Sequence, residues 1–457
     1  MKRLGIIGGG AAGLACAVEA AQLLRARGVA ADVVVLEADE RVGRSILATG
    51  NGRCNFSNSN IDPRLYHNAD FVAEAFEALE VLESPSANMT GNDPNAFADP
   101  VHAFFDLLGL VWREEEGGRQ YPLANKASVV VDVLRAAAAR AGVVEACGNA
   151  VVAIEPPRAP GKPYTLRMAD GAFDRFDAVV VAVGGRAAQT IATKSAQAGI
   201  AQFERFNALQ PVLGPLAVDS PYPRALDNIR VRASVTLVRE ASTNREKIAC
   251  ERGEVMFRKY GVSGIAVFNL SRFAQAGDTL LINFLGGSDA RLTGEAALEA
   301  TPETARTLLA RRADRLAAEL RGGNRPTCED VLRGLVLARV ADVICKQAGV
   351  SAQDAATPQA IEALTHALVA FPLRVTGIAD ADMCQVRRGG VDPAVIDART
   401  CGMQGAPGLF AVGEAVDVDG PCGGYNLHWA WSSGLLAACA AALFLAEIEA
   451  ETDGEGR

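Results

Sequence analysis

The chain has 457 residues, 49% of them apolar and 22% charged, which excludes a disordered or fibrous protein and, at roughly 150 residues per domain, predicts more than one core. Its 45 Lys and Arg against 54 Asp and Glu leave a net charge of −9, so no basic footprint for nucleic acid or an anionic membrane is expected. Ten scattered cysteines include no Cys-x-x-Cys pair and stand beside only four histidines; no metal site and no redox dithiol is expected, and a reducing, cytoplasmic setting is.

The first forty residues read as one βαβ unit. Leu4 to Ile7 is a short buried strand, Gly8 to Gly13 a tight turn, Ala11 to Arg27 a helix ending near Gly28, and Asp32 to Glu37 a second strand. Lys2 and Arg3 ahead of an apolar run resemble a signal peptide, but Glu19 ends that run. Helical patterns follow at Asp70 to Leu82 and Val101 to Leu108, with Ser84 to Pro100 between them as a polar loop. Ser128 to Ala141 predicts a helix, and Ala150 to Ile154 and Tyr164 to Met168 predict strands around a proline-rich hairpin loop. Ala178 to Val183 reads as a fully buried strand. From about Phe203 the alternating runs Val231 to Val238 and Leu280 to Phe284 predict antiparallel strands, and Ala305 to Leu320 and Ile361 to Leu368 predict helices. A last dinucleotide-fold segment begins near Phe371, with a strand at Leu409 to Val412 and a helix from about Asn426 to Glu447. The longest apolar run there, Gly434 to Ala446, is too short to span roughly 30 Å of hydrocarbon. The fold class is therefore α/β: a discontinuous Rossmann-like domain at 1–202 and 371–457, with a β-barrel-like and helical domain inserted at 203–370.

Gly8-x-Gly10-x-x-Gly13 stands between a strand and a helix, as a dinucleotide fingerprint requires. Its glycines make the turn, admit a pyrophosphate to the backbone and let helix and strand pack closely, with Ala11 and Ala12 at the helix N-terminus. Glu37 closes the second strand, where a ribose hydroxyl needs an acceptor. Such a site takes NAD or FAD. Three further stretches are similar to FAD proteins: Arg41-Val42-Gly43-Arg44-Ser45 after the acid, Val179 to Gly185, and Gly408 to Glu414. The acid ending the last of these is similar to one that accepts a bond from the flavin's ribityl chain.

Thr49-Gly50-Asn51-Gly52-Arg53-Cys54-Asn55-Phe56-Ser57-Asn58 resembles the Gly-Arg-Cys-Asn signature of a bacterial flavoprotein family described as aminoacetone-oxidase-like and bile-acid dienone reductase-like. Glu254 to Phe257, Tyr260 to Gly264 and the closing run Gly413 to Gly434 are similar to its later motifs. The resemblance implies FAD binding and an inserted substrate-side domain; with no flavin-linking residue identified in the sequence, the FAD is expected to be non-covalent. It carries cofactor contacts onto Gly8, Gly10, Ala11, Ala12, Gly13, Glu37, Ala38, Arg44, Gly50, Gly52, Arg53, Cys54, Asn55, Val151, Ala182, Gly184, Gly413, Glu414, Gly424, Tyr425, Asn426 and Leu427. The stretch Arg186 to Lys194 departs from the family's glycine- and serine-rich pattern and leaves the donor open.

Gly423-Gly424 lets the backbone pass close to a flat ring, and the following helix points its positive end there. A side chain at Gly424 is expected to crowd the flavin and spare the fold. Arg53, Cys54 and His428 are the candidate catalytic groups. Cys54 is a small packed residue or a nucleophile, His428 a structural histidine or a proton donor, and Trp429 and Trp431 are packing residues. With one fingerprint in the chain, NAD(P)H is expected as a donor without a domain of its own. The expected activity is hydride transfer between flavin and a small organic substrate, enone reduction leading. A flavin amine oxidase using oxygen and a non-catalytic redox-sensing module are the alternatives.

Overall fold

The structure is a computed structural model that describes residues 1–82, 99–240, 245–286, 301–320 and 325–454. The chain forms two compact units, 1–210 with 387–457, and 211–386. All but the end of the expected Ser84 to Pro100 loop lies outside the described residues.

The first unit opens with β1 (Lys2–Ile7), α1 (Ala11–Ala26), β2 (Ala31–Glu37) and α2 (Arg44–Ala48). Next come β3 (Ser57–Asn58), α3 (Ala69–Val81), α4 (Pro100–Leu107), β4 (Trp112–Glu115), β5 (Arg119–Pro122), α5 (Ala127–Ala141) and β6 (Val144–Cys147). A meander of β7 (Val151–Glu155), β8 (Tyr164–Met168) and β9 (Phe173–Phe176) leads to β10 (Ala178–Val181) and α6 (Gly185–Gln197). β11 (Phe206–Val212) carries the chain out of this unit.

The second unit is a closed barrel. Its strands are β12 (Leu216–Asp219), β13 (Arg230–Glu240), β14 (Arg245–Arg258), β15 (Gly261–Ser263), β16 (Thr279–Asn283) and β17 (Phe371–Ile378). Its helices are α7 (Tyr222–Ala225), α8 (Ile265–Ser271), α9 (Pro302–Glu319), α10 (Cys328–Leu332), α11 (Ala338–Gln347) and α12 (Pro358–Val369). Ala233, Val235 and Leu237 of β13 alternate into a core of their own with Phe257 and Phe371. The strand at Phe371, expected to reopen the dinucleotide fold, instead closes this barrel: it pairs with β12 and β16 and buries Phe371, Leu373 and Val375. The units therefore divide at 210/211 and 386/387, later than the expected 202/203 and 370/371.

β18 (Val386–Val391) pairs with β11 and brings the chain back. β19 (Ile396–Asp397), β20 (Gly402–Met403), β21 (Leu409–Ala411) and α13 (Tyr425–Gly454) follow. The main sheet runs β19-β20-β21-β10-β1-β2-β6, and its last five strands are parallel. Val179 to Val181 and Val33 to Leu36 are apolar without alternation because both faces of this sheet are covered. α13 packs along α1, and a Cβ added at Gly434 would stand 2.5 Å from the Ala12 carbonyl oxygen. The helix is longer than its apolar run suggests. By length and composition Tyr425–Ala450 could cross a membrane, but two thirds of its apolar window is buried inside the protein. It is a core helix.

Candidate functional site

The carboxyl ends of β1, β2, β10 and β21 bring the motifs together. Gly8 has φ +103° and donates its N–H to the Leu36 carbonyl at 2.8 Å. A Cβ on Gly13 would stand 1.9 Å from the Gly8 carbonyl oxygen, so only glycine lets α1 start this close to β1. At Gly10 the nearest obstacle is the Ser45 hydroxyl at 3.0 Å. No side chain caps α1, so its first-turn N–H groups are left for a ligand.

Glu37 is the hinge of this cradle. One carboxylate oxygen accepts from Gly9 N–H at 2.7 Å and the other from Asp39 N–H at 2.9 Å. Gly43 N–H donates to the Gly9 carbonyl at 2.7 Å, and Arg44 pairs with Asp39 at 2.9 Å. Asn149 N–H reaches the Glu37 carbonyl and Gly148 N–H that of Asp39, which brings the start of β7 at Val151 to the same edge as Ala38. A carboxylate accepting one bond per oxygen keeps lone pairs for two ribose hydroxyls. Glu37→Ala removes that acceptor and two backbone anchors; FAD affinity is expected to fall about ten- to a hundredfold, the worth of a charged hydrogen bond of roughly 1.5–3 kcal/mol. An unchanged dissociation constant by flavin-fluorescence titration would place the ribose elsewhere.

Ala182 follows β10, donates its N–H to Ile7 and lines Gly8 and Gly13. Past it, Gly184 precedes α6, whose first N–H, on Gly185, bonds the Glu414 carboxylate. That carboxylate also accepts from Arg387 N–H at 2.9 Å, and burial pushes its pKa up. Glu414 therefore caps α6 and steadies β18 in addition to any ribityl contact. Arg186 to Lys194 lies on α6 itself. Gly413, at φ +61°, is wedged between Ala12 and Ala430.

The Thr49 to Asn55 stretch is a strained strap. Gly50, Asn51, Gly52 and Cys54 all have left-handed φ, between +55° and +79°, a conformation concentrated at functional sites. Its side chains are engaged within the protein. Arg53 donates to Glu115 and Asn125 and stacks 3.9 Å over Tyr121. Asn55 accepts from Gln120 N–H at 3.1 Å. Cys54 is fully buried, and burial pushes its thiol up to about 12; it is a packed residue. Cys54 is expected to stay unmodified when the native protein is treated with iodoacetamide at neutral pH, and peptide mapping that finds it alkylated would contradict this.

The strap meets the start of α13. Trp431 donates its indole N–H to the Phe56 carbonyl at 2.9 Å, and Trp429 donates to Gly413 at 3.1 Å; both are packing residues with a bond to keep. Gly424 has φ +103°, and a Cβ there would meet the Ser57 carbonyl oxygen at 2.2 Å. A side chain at Gly424 thus strikes the protein's own backbone, and the expectation of an intact fold is corrected. Asn426 turns back to hold Gly420 through both its amide groups, and Tyr425 donates to the Asn60 carbonyl. The Tyr425 and Asn426 side chains are thus engaged within the protein.

His428 is 4% exposed and bonds Ser57 at 2.9 Å. Burial lowers its pKa. Nearby, Asp99 holds His102 at 2.6 Å, and the far ring nitrogen of His102 meets Gln120. His428, its side chain 6% exposed, belongs to this polar cluster, with Asp99 3.8 Å from its Nδ1. Two aspartates that sequence reading passed over, Asp417 and Asp419, anchor the segment between β21 and α13. Their spacing within Gly413 to Gly420 was the available signal.

The profile of the family described as HI0933-like protein Rossmann domain matches residues 2–440. The chain is 30% identical to the 3-dehydro-bile acid delta(4,6)-reductase of Clostridium scindens, over 97% of this chain and 99% of that protein. It is 28% identical to the ribosomal RNA dihydrouridine synthase of Escherichia coli over 97% and 98%. Among solved structures, the 3-ketosteroid-delta4-(5alpha)-dehydrogenase of Rhodococcus jostii is similar with a TM-score of 0.42 at 14% identity, covering 96% of this chain and 97% of that one.

Proposed function

The chain belongs to the HI0933-like Rossmann-domain family, and we propose that it is an oxidoreductase that holds FAD non-covalently and reduces a carbon–carbon double bond conjugated to a carbonyl. The observation that carries the cofactor reading is the cradle. Gly10 open to the backbone, uncapped N–H groups on α1 and Glu37 at the end of β2 together fit a dinucleotide. Gly8 to Gly13 would hold the pyrophosphate, Glu37 the adenosine ribose, and the strap and the Gly423–Gly424 turn the ring. FAD, when bound, supplies two-electron transfer. The positive end of α13 stabilises negative charge at that turn.

Two relatives' names support the substrate class. A 3-dehydro-delta(4,6) bile acid is a conjugated dienone, and dihydrouridine is uridine with its double bond, conjugated to a ring carbonyl, saturated. Both describe the same reduction on different bodies. A steroid-like small molecule is the first reading, with NAD(P)H as donor. Relatives at 28% and 25% identity that act on ribosomal RNA favour an RNA uridine as the second.

Acid precipitation of the yellow protein is expected to release FAD into the supernatant, identified by mass. Anaerobic addition of NADH or NADPH is expected to bleach the flavin band. A colourless protein that ignores added FAD would overturn the reading, and a band bleached by amines alone would favour the oxidase.

A further inference from the structure

The segment between β21 and α13 buries two carboxylates, and each holds a basic side chain of the same unit. Asp419 is fully buried, and Arg388 forks onto it at 2.7 and 3.1 Å. Asp417, 4% exposed, accepts from Gly389 N–H and from the Asn207 amide, both at 2.8 Å. Its other neighbour is the His67 imidazole, whose Nε2 stands 3.5 Å from the Asp417 carboxylate. Burial works against the Asp417 charge, but the bonds from His67, Asn207 and Gly389 outweigh it and hold the carboxyl below its usual range.

His67 is placed firmly. Its backbone N–H donates to the Asp419 carbonyl at 2.8 Å, and the next residue's amide, on Asn68, donates to the Asp417 carbonyl at 2.6 Å. The preceding Tyr66 donates its hydroxyl to the Tyr425 carbonyl at 2.9 Å, on the first residue of α13. His67 is thus tied, through its own backbone and through Tyr66, to the segment that leads into the Gly423–Gly424 turn and α13. Unlike His102 and His428, whose side chains are buried, its side chain is 36% exposed. A half-open imidazole backed by a buried carboxylate is the arrangement of an oriented proton donor: the carboxylate fixes the ring through one nitrogen and leaves the other edge to work.

We propose that His67 is the proton donor of the conjugated reduction, a role that rests on the reading above. With FAD held in the cradle, its two-electron chemistry would supply the hydride for the new C–H bond at the β carbon. The electron pair of the double bond moves toward the carbonyl as an enolate, and the α carbon takes the proton from the His67 imidazolium, whose N–H bond breaks. The products would be the saturated carbonyl compound, the oxidised cofactor and a neutral imidazole that regains a proton from solvent. The two electrons come from a dihydronicotinamide donor through the flavin.

His67→Gln tests this, because glutamine can still donate an N–H to Asp417 but carries no transferable proton. Photoreduced, anaerobic protein is mixed with a conjugated steroid dienone or with uridine in ribosomal RNA, and return of the oxidised flavin band is timed. The variant is expected to keep wild-type flavin content, melting temperature and rate of reduction by dithionite. Its reoxidation is expected to be about 10²- to 10⁴-fold slower, the usual worth of a general acid, and added imidazole is expected to restore part of the rate in His67→Gly. A readout independent of turnover is exchange of the α proton of the saturated ketone in heavy water, catalysed by oxidised wild type and lost in His67→Gln. A variant that reoxidises and exchanges like wild type overturns this inference alone, as does one that loses flavin or melts earlier. Wild type that carries FAD but reacts with neither substrate overturns the functional reading and this role with it.

Discussion

Gly424→Ala is expected to be recovered largely without flavin and to melt several degrees below the wild type. Two costs add. At φ +103° a Cβ is strained wherever it points, by roughly 1–3 kcal/mol. Here it also points at the Ser57 carbonyl oxygen, 2.2 Å away, with the Ser57 carbonyl carbon at 2.5 Å. Neither atom can swing aside as a side-chain end could, because Trp431 ties Phe56 and His428 ties Ser57 to the same helix. Overpacking of this kind costs roughly a further 1–3 kcal/mol. Calorimetry and the flavin-to-protein absorbance ratio read both effects. A variant with wild-type melting and full flavin would mean that the turn does not lie as described.

Gly13→Ala sets helix propensity against packing. In an exposed helix the change would gain up to about 1 kcal/mol. Here the added methyl would stand 1.9 Å from the Gly8 carbonyl oxygen and 3.3 Å from the Ala182 side chain, so α1 must move off β1. The packing cost wins, and the same movement displaces the first-turn N–H groups that would face the pyrophosphate. The expected result is a folded but flavin-free protein, with FAD affinity lower by a hundredfold or more in equilibrium dialysis. Retained affinity would separate this turn from the cofactor.

The dinucleotide half of the fold was legible because its signals are local. The Gly8 to Gly13 turn, the unbroken apolar strands and Glu37 each depend on a few consecutive residues, and their positions follow from sheet geometry. The barrel's closing strand was not. Phe371 to Ile378 alternates as any half-buried strand does, and only its long-range pairing with β12 and β16 assigns it to the second unit. The same limit governed the site. The motif at Arg53, Cys54 and Asn55 was singled out as a cofactor stretch, and in the structure the Arg53 and Asn55 side chains point to Glu115, Tyr121 and Gln120, partners more than sixty residues away. What the stretch around it specifies is left-handed backbone at Gly50, Asn51, Gly52 and Cys54, a property no single side chain announces. His67 carries no motif at all. It is recognisable only beside Asp417, 350 residues later.

The central claim is that this flavin cradle serves reduction of a conjugated double bond. It is tested most directly by mixing the anaerobic, photoreduced protein with a conjugated steroid dienone and, separately, with ribosomal RNA, and following the flavin's visible band. The account predicts that one of the two restores the oxidised band without oxygen, leaving a product heavier by two hydrogens. A band that stays bleached with both and returns only when air is admitted would contradict it.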